Sequence, residues 1–502
     1  MKDEADEELM QEILDEAVRF YYDKDNPSSI YVEYRQHNGA IAFESVDSMM
    51  FEAFLGVTYR NRSGENILPD FSRLLAITCQ NVMYFREEGG VKINHRVAGS
   101  ISKGMIAYFL ADGQWTTIVI QENGWKTVKR TKIKFVKSVD NEAQSIPVGG
   151  GNLLELMRKY VNMDVDSFIL FVVYIVQAFS RSSSHFAAII SSRQGTGKST
   201  VTKVMRELID PSKSGATLMP AKEGDLKNLL GNSYMVCFDN TAALAPKYSD
   251  ILCAAITGSR ETKRKLYSDC DQVVMNLHNL VILNGIDVVP QRSDLEERSL
   301  LFELQPISDK QRKTDRVFWD DFKRDRAGIL GAIFDTLVKA IAILPTVKPE
   351  GLHRMADANL EMVAIAMALG ITQEEFQRIL KANKKKLREA YNQMNPFVDF
   401  VASFMRGRAD VNMSADALYR EMHSKIVGSG KFFPESPSAL SRKLNHEKEA
   451  LLAVGYEFSK GEKKRDHNYL VIRRIPGSRQ SQKQKQAMAR RELLLDDAST
   501  EE

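Results

Sequence analysis

Phe186-Ala187-Ala188-Ile189-Ile190-Ser191-Ser192-Arg193-Gln194-Gly195-Thr196-Gly197-Lys198-Ser199-Thr200, continued by VTKVMRELI to Ile209, reads as strand, Gly-rich loop and helix. That order is the context a phosphate-binding loop needs. Gly195 and Gly197 let backbone N–H groups turn inward, and the following helix N-terminus adds partial positive charge. Lys198 is expected to reach the β- and γ-phosphates, and the Ser199 hydroxyl to complete a Mg²⁺ shell. The nucleotide-contacting set is therefore Ser192, Gln194, Gly195, Thr196, Gly197, Lys198, Ser199 and Thr200. Ser192 stands where the motif usually opens with Gly.

Downstream, Tyr234-Met235-Val236-Cys237-Phe238 is a continuous apolar run ending in Asp239-Asn240. A buried parallel strand that ends in a carboxylate suits a second Mg²⁺-shell position, so Asp239 joins Ser199 as a metal candidate. In many such enzymes the next residue is an acid that deprotonates water. Asn240 can orient water but cannot take its proton, which leaves the general base open. Glu223, Asp225 and Asp250 are acids near in sequence, with no stronger claim.

The stretch Ala254–Ile307 (AAITGSRETKRKLYSDCDQVVMNLHNLVILNGIDVVPQRSDLEERSLLFELQPI) adds further motifs in order. Thr257-Gly258 precedes Lys263-Arg264-Lys265-Leu266-Tyr267, a basic-aromatic cluster able to hold a phosphate backbone and stack a base. The same five residues also suit a solvated charged turn. Leu280-Val281-Ile282-Leu283-Asn284 is a third apolar strand with a polar end, and Arg298 follows Leu295-Glu296-Glu297.

With these motifs the region Ser182–Ile307 resembles the superfamily 3 helicases, AAA+ motors of small viruses, phages, plasmids and poxvirus-type primase-helicases. The resemblance implies ATP with Mg²⁺ bound between subunits of a homo-oligomeric ring, a hexamer. It implies that Asn284 senses the γ-phosphate and that Lys263, Arg264 and Lys265 enter a central channel to grip single-stranded DNA. Arg298, favoured over Arg292, would act as an arginine finger on the neighbouring subunit's nucleotide. The expected catalytic set is Lys198, Asp239, Asn240, Asn284 and Arg298. For the first 150 residues the resemblance is much weaker.

The rest of the chain carries signals of composition and pattern. At 502 residues it exceeds one ordinary core, and 69 Lys+Arg against 66 Asp+Glu leave a formal charge of only +3. Cys79, Cys237, Cys253 and Cys270 form no C-x-x-C pair, which argues against a zinc site or a disulfide framework. The acidic MKDEADEELM start has no apolar h-region. The most lipid-like run, Phe168–Val176, spans about half of the roughly 20 residues a membrane helix needs. A cytoplasmic protein without membrane association is expected.

Residues 1–28 read as an acidic amphipathic helix, with Leu9, Ile13, Leu14, Ala17 and Phe20 at helical spacing. Residues 29–148 read as a mixed α+β accessory domain without recognisable chemistry. A linker at Gly149-Gly150-Gly151 and a helical collar fill 149–180, and the ATPase core spans 181–308. Residues 309–392 form a helical lid, 393–475 a winged-helix DNA-binding domain, and 476–502 a mobile charged tail.

In the winged-helix candidate, helices are expected at Phe397–Met405, Ala415–His423 and Pro437–Val454. Two strands follow around a Gly-Glu-Lys-Lys-Arg turn. Within Ser436–Arg490 there are 13 basic residues against 5 acids, an electrostatic footprint of duplex binding. Arg442, Lys443, Lys463, Lys464 and Arg465 are the duplex-DNA candidates, with Ser438, Ser441 and Asn445 beside Arg442 on the third helix. Such modules also serve protein contacts.

The expected fold class is α/β: an AAA+ P-loop core with a mixed α+β N-terminal domain, a helical lid and a C-terminal winged helix. The expected function is an ATP-dependent DNA helicase in replication of a phage, plasmid or other mobile element. The alternative is a nucleotide-switched DNA-binding initiator or scaffold without unwinding.

Overall fold

The computed structural model describes residues 2–64, 72–85, 90–182, 184–192, 196–241, 244–264, 272–285, 293–307, 312–350, 355–393, 395–426, 433–461 and 469–475. The chain is a mixed α/β protein of two compact units, Met1–Lys384 and Lys385–Glu502.

The first unit opens with α1 (Lys2–Ala17), β1 (Val18–Asp23), β2 (Ile30–Arg35), β3 (Ile41–Ser45), α2 (Met49–Ser63), α3 (Ser72–Phe85) and β4 (Gly90–Val91). Their sheet has the order β3-β2-β1-β4. The expected helix over 1–28 therefore stops at Ala17. VRFYYD is β-branched and aromatic, and pairing Val18–Tyr22 antiparallel with Ile30–Tyr34 outweighs continuing the helix. Met10, Ile13 and Leu14 of α1 still bury as their spacing predicts, against Val32, Phe43, Phe51 and Tyr59.

Next come β5 (Ile93–Asn94), β6 (Val97–Ser100), β7 (Met105–Phe109), β8 (Thr117–Gln121), β9 (Gly124–Val128) and β10 (Lys134–Phe135). β6 to β9 form an antiparallel meander, and β10 pairs with β5. The collar follows as α4 (Leu153–Arg158), N-capped by Asn152, and α5 (Val165–Gln177), N-capped by Asp164. The lipid-like run lies in α5, where Leu170 to Gln177 are all buried in the protein core.

The central layer consists of β11 (Ala187–Ser191), α6 (Lys198–Ile209), α7 (Glu223–Gly231), β12 (Met235–Phe238), α8 (Pro246–Thr257), β13 (Ser259–Arg264), β14 (Gln272–Leu277), β15 (Leu280–Gly285), α9 (Ser293–Glu297) and β16 (Ser299–Glu303). β12-β15-β11-β16 is an all-parallel sheet. Its strands are almost wholly buried, as sheets covered on both faces are. Thr217 bridges to Phe238 beyond β12. β13 and β14 make a separate antiparallel hairpin.

Helices α10 (Asp315–Ile343), α11 (Ala356–Ala368) and α12 (Gln373–Gln393) follow. α10 packs on β8, β9, α4, α5 and α11. The helical stretch Asp315–Thr346 is long and apolar enough to cross a bilayer, but over half of its apolar window is buried inside the protein. The Gly149–Gly151 run, expected as a linker, is docked on α10. Val148 N donates to Ala327 O at 2.9 Å, and Gly150 N donates to Asp335 Oδ2 at 2.9 Å. Gly331 permits this approach, since a Cβ there would meet Val148 O at 1.9 Å.

The second unit contains the end of α12, then α13 (Pro396–Phe404), β17 (Asp410–Ser414), α14 (Ala415–His423), α15 (Pro437–His446), α16 (Lys448–Ala453), β18 (Tyr456–Lys460) and β19 (Tyr469–Arg474), with sheet order β17-β19-β18. β17 was not anticipated from its polar DVNMS sequence. The single helix expected over Pro437–Val454 is divided at Glu447. Its carboxylate is drawn inward by Tyr391 Oη at 3.0 Å, Asn395 Nδ2 at 3.0 Å and Lys443 Nζ at 2.9 Å. Three donors on a residue only 1% exposed compensate a charge that could not otherwise be buried.

Candidate functional site

β11 delivers Ser191 and Ser192 to the carboxyl-terminal edge of the parallel sheet. There the chain turns through Thr196 and Gly197 into α6, which starts at Lys198. Gly197 has φ +88°, a left-handed conformation that glycine adopts without a Cβ penalty. Lys198 Nζ donates to the Ser192 carbonyl at 2.8 Å, and the Ser192 and Thr196 hydroxyls are hydrogen-bonded. Thr200 sits in the first turn of α6. Arg193, Gln194 and Gly195 lie outside the described residues.

Asp239 leaves β12 at the same edge, and Asn284, the penultimate residue of β15, lies alongside it. Asn284 Nδ2 donates to Asp239 Oδ1 at 2.8 Å, and the backbone N–H of Asn240 donates to the same oxygen at 2.8 Å. The other carboxylate oxygen faces α6, with Ser199 Oγ at 3.5 Å from Asp239 Oδ2. Thr241, unremarked in the sequence, ties the two strand ends by donating its N–H to Asn284 O at 2.8 Å. Lys198, Ser199, Asp239, Asn240 and Asn284, dispersed over 87 positions of sequence, thus share one edge of one sheet. In open α/β sheets this carboxyl edge is where ligands bind.

Two features of this cluster are unusual. Asn284 is 1% exposed, yet its Oδ1 has no hydrogen-bond partner. Asn240 has φ +49°, which an Asn side chain tolerates, and it is exposed beside the carboxylate. Of the acids considered as alternative bases, Glu223 is engaged with Lys247 at 3.2 Å.

Arg298 is not part of this cluster. It immediately precedes β16, and its carbonyl accepts from Ala187 N at the amino-terminal start of β11. A strand of this length separates the two edges by about 15 Å. Its guanidinium pairs with the Asp294 carboxylate, donates to Asp294 O at 3.0 Å, and is 12% exposed. Arg292 lies outside the described residues.

Of the basic hairpin, β13 carries Lys263 and Arg264 on described backbone, in register with Val273 and Gln272. Lys265 and Tyr267 lie outside the described residues, as do Lys463, Lys464 and Arg465. On α15, Ser438, Arg442 and Asn445 are exposed opposite buried Leu440 and Leu444. Lys443 is instead committed to buried Glu447.

A buried polar network holds the far end of α6 and was missed from the sequence. Arg96, fully buried, pairs with Asp210 at 2.7 Å and donates to Phe109 O, Glu142 O and Pro211 O. Arg206 donates to Ser212 Oγ at 2.7 Å and Met235 O at 2.6 Å. Tyr108 and Gln144 cap the Ile209 and Leu208 carbonyls. A charged Arg inside the apolar run VMRELI was the one available signal, because a buried guanidinium requires partners.

Residues 152–380 match the family described as actinomycete integrative conjugative element replication protein, over less than half of the chain. No curated protein matches significantly. Among solved structures, the A form apo structure of the NrS-1 C terminal region is similar at 11% identity and TM-score 0.42, covering 93% of this chain and 98% of that one. A second apo structure of that region gives 12% identity and TM-score 0.38 with the same coverage.

Proposed function

We propose that this protein is an ATP-driven DNA helicase of the superfamily 3 type, acting in replication of a mobile element such as a phage, plasmid or integrative element. The observation that carries the reading is the convergence of Lys198, Ser199, Asp239 and Asn284 at the carboxyl edge of the parallel sheet. Supporting it are the β13–β14 hairpin that follows α8 and the match of residues 152–380 to a replication-protein family.

In this reading 181–308 is an AAA+ P-loop core that takes ATP. Backbone N–H groups of the loop and the N-terminus of α6 hold phosphate oxygens, and Lys198 exchanges the Ser192 carbonyl for a phosphate oxygen. Ser199 Oγ and Asp239 Oδ2 are two hard oxygen donors facing each other, a set that fits Mg²⁺. When bound, Mg²⁺ neutralises charge on the phosphates. Asn284 holds Asp239 through Nδ2 and keeps its unpartnered Oδ1 for a proton-bearing group, such as the attacking water. Asn240 orients that water without deprotonating it.

In this reading Arg298, on the opposite edge from its own chain's cluster, serves a neighbour in a head-to-tail ring, a hexamer, once it is released from Asp294; its distance from its own cluster supports that role. The second unit supplies a winged helix, α13-β17-α14-α15 with strands in the order β17-β19-β18, that offers Arg442 and its exposed neighbours to duplex DNA.

Complementation tests the assignment. Lys198→Ala should lose ATP binding, and Arg298→Ala should bind ATP but not hydrolyse it. Mixing the two inactive proteins should restore turnover, whereas no recovery in mixtures would contradict action of Arg298 in trans. A second reading, a nucleotide-switched initiator that binds DNA without unwinding it, is favoured by Asn240 alone. It predicts tight ATP and DNA binding with no turnover.

A further inference from the structure

Two cavities of about 840 and 740 Å³ open at the base of the β13–β14 hairpin, where it meets the front sheets. They share Lys92, Arg181, Gly258 and His278 and so adjoin one another. Among the described residues, the larger is lined by Lys24, Lys92, Lys103, Lys132, Lys134 and Arg181 against one carboxylate, Asp357.

Lys134 is neutralised by Glu33, and the Asp25 carboxylate of the smaller cavity is taken by Arg260 at 2.8 Å. Among the described residues no carboxylate pairs directly with Arg181, and Asp25 acts on it only at longer range. Its Nε donates to His278 Nδ1 at 3.4 Å, while the buried Nη1 has no hydrogen-bond partner among the described residues. Ser182 Oγ and His278 Nε2, on the same wall, are also buried and unpartnered. Burial, with Arg181 next in effect, holds the His278 imidazole down to about 3, so it is neutral at physiological pH. A part-buried guanidinium whose inner nitrogen lacks a hydrogen-bond partner is a costly arrangement unless an anion completes it.

We propose that this groove binds the phosphodiester backbone of single-stranded DNA, as a site separate from the hairpin tip and from the second unit. The cations of the larger cavity come from five separate chain segments rather than from one loop, which suits successive phosphates better than one small anion, whereas the smaller adds only Arg260 against Asp23 and Asp25. The described lining of the larger cavity has no Phe, Tyr or Trp, which suits reading of backbone rather than bases. Thr257 and Gly258, in the same wall, lead directly into β13, so a strand held here continues onto the hairpin. The proposal rests on the DNA-binding reading above but not on the nucleotide site.

The test is fluorescence anisotropy of labelled oligo-dT on the full chain without nucleotide, across a salt series. Lys103→Glu with Lys132→Glu, both exposed, should weaken binding at least about tenfold and lower the log–log salt slope by about 1.4, the value for two lost phosphate contacts on a single strand. Arg181→Met, checked for folding by circular dichroism, should weaken binding similarly, and DNA-free ATP hydrolysis should be unchanged in all variants. Wild-type binding that the variants leave intact would overturn this groove while sparing the helicase reading. Absence of oligo-dT binding by the wild type would overturn both. Displacement of oligo-dT by inorganic phosphate, at ionic strengths where chloride does not compete, would make this a small-anion site and overturn the proposal.

Discussion

Asp239 accepts hydrogen bonds from Asn284 and Asn240 on one oxygen and leaves the other toward Ser199. Removing Asn284 frees the carboxylate to rotate and, on the helicase proposal, takes away one polar group at the reacting phosphate. Asn284→Ala is expected to lower kcat about 10²-fold, the scale for one lost preorganised donor, while ATP affinity measured by calorimetry changes little. Lost affinity with kcat unchanged would instead make Asn284 a ground-state ligand. These residues were legible because each ends an apolar run, so type and position in the strand were both visible. Arg298 was legible as a residue but not in its surroundings. Its pairing with Asp294, one turn earlier on α9, depends on a backbone geometry that the stretch SDLEER does not declare. Lys443 was likewise assigned to DNA from charge alone, and only the inward fold of Glu447 redirects it.

At the scale of elements, α6 is fixed at both ends, by the loop at Lys198 and by the Arg96–Asp210–Arg206 network at Ile209. Arg96 and Asp210 are 114 residues apart, so no local pattern could connect them. Arg96→Ala should destabilise the protein by about 3–5 kcal/mol in urea unfolding, because Asp210 loses its closest partner, keeping Arg206 at 3.5 Å, and three carbonyls lose their donor. A change under 1 kcal/mol would mean that the network is dispensable. Gly331→Ala would force Val148 off α10, and a loss of about 1–3 kcal/mol is expected. This contact explains why a triple-glycine run became a packed segment: the glycines on one side answer a glycine on the other. The free edge of β16 is covered by α12, with Asn383 bonding Leu301 N and O and Lys384 Nζ donating to Glu297 O at 2.5 Å and Ser299 O at 2.9 Å.

Burial holds the Lys384 ammonium down to about 8 from 10.5. The unfolded chain therefore binds this proton first as pH falls, and stability is lost from pH 10.5 down to about 8. Lys384→Met should flatten the stability slope in that window, as read by urea midpoints at successive pH values. An unchanged slope would place the titration elsewhere.

At the scale of the whole molecule, the seven segments expected from composition resolve into two units divided within α12, after Lys384. Composition marks linkers by glycine and charge. It does not register that β8 and β9 pack against α10, which makes the accessory sheets part of the same body as the central layer. The order of motifs from Gly197 to Arg298 was readable, and so was the basic excess after Ser436, because both are properties of short stretches. The groove around Arg181 was not, since its cations come from five separate segments.

The most direct test of the account is steady-state ATP hydrolysis with and without single-stranded DNA, run beside strand separation of a forked duplex. The account predicts turnover that DNA stimulates, together with separation of the fork that Lys198→Ala abolishes. Tight binding of ATP and DNA with neither turnover nor separation would contradict it, and would make Asn240 the mark of a nucleotide-gated DNA-binding switch.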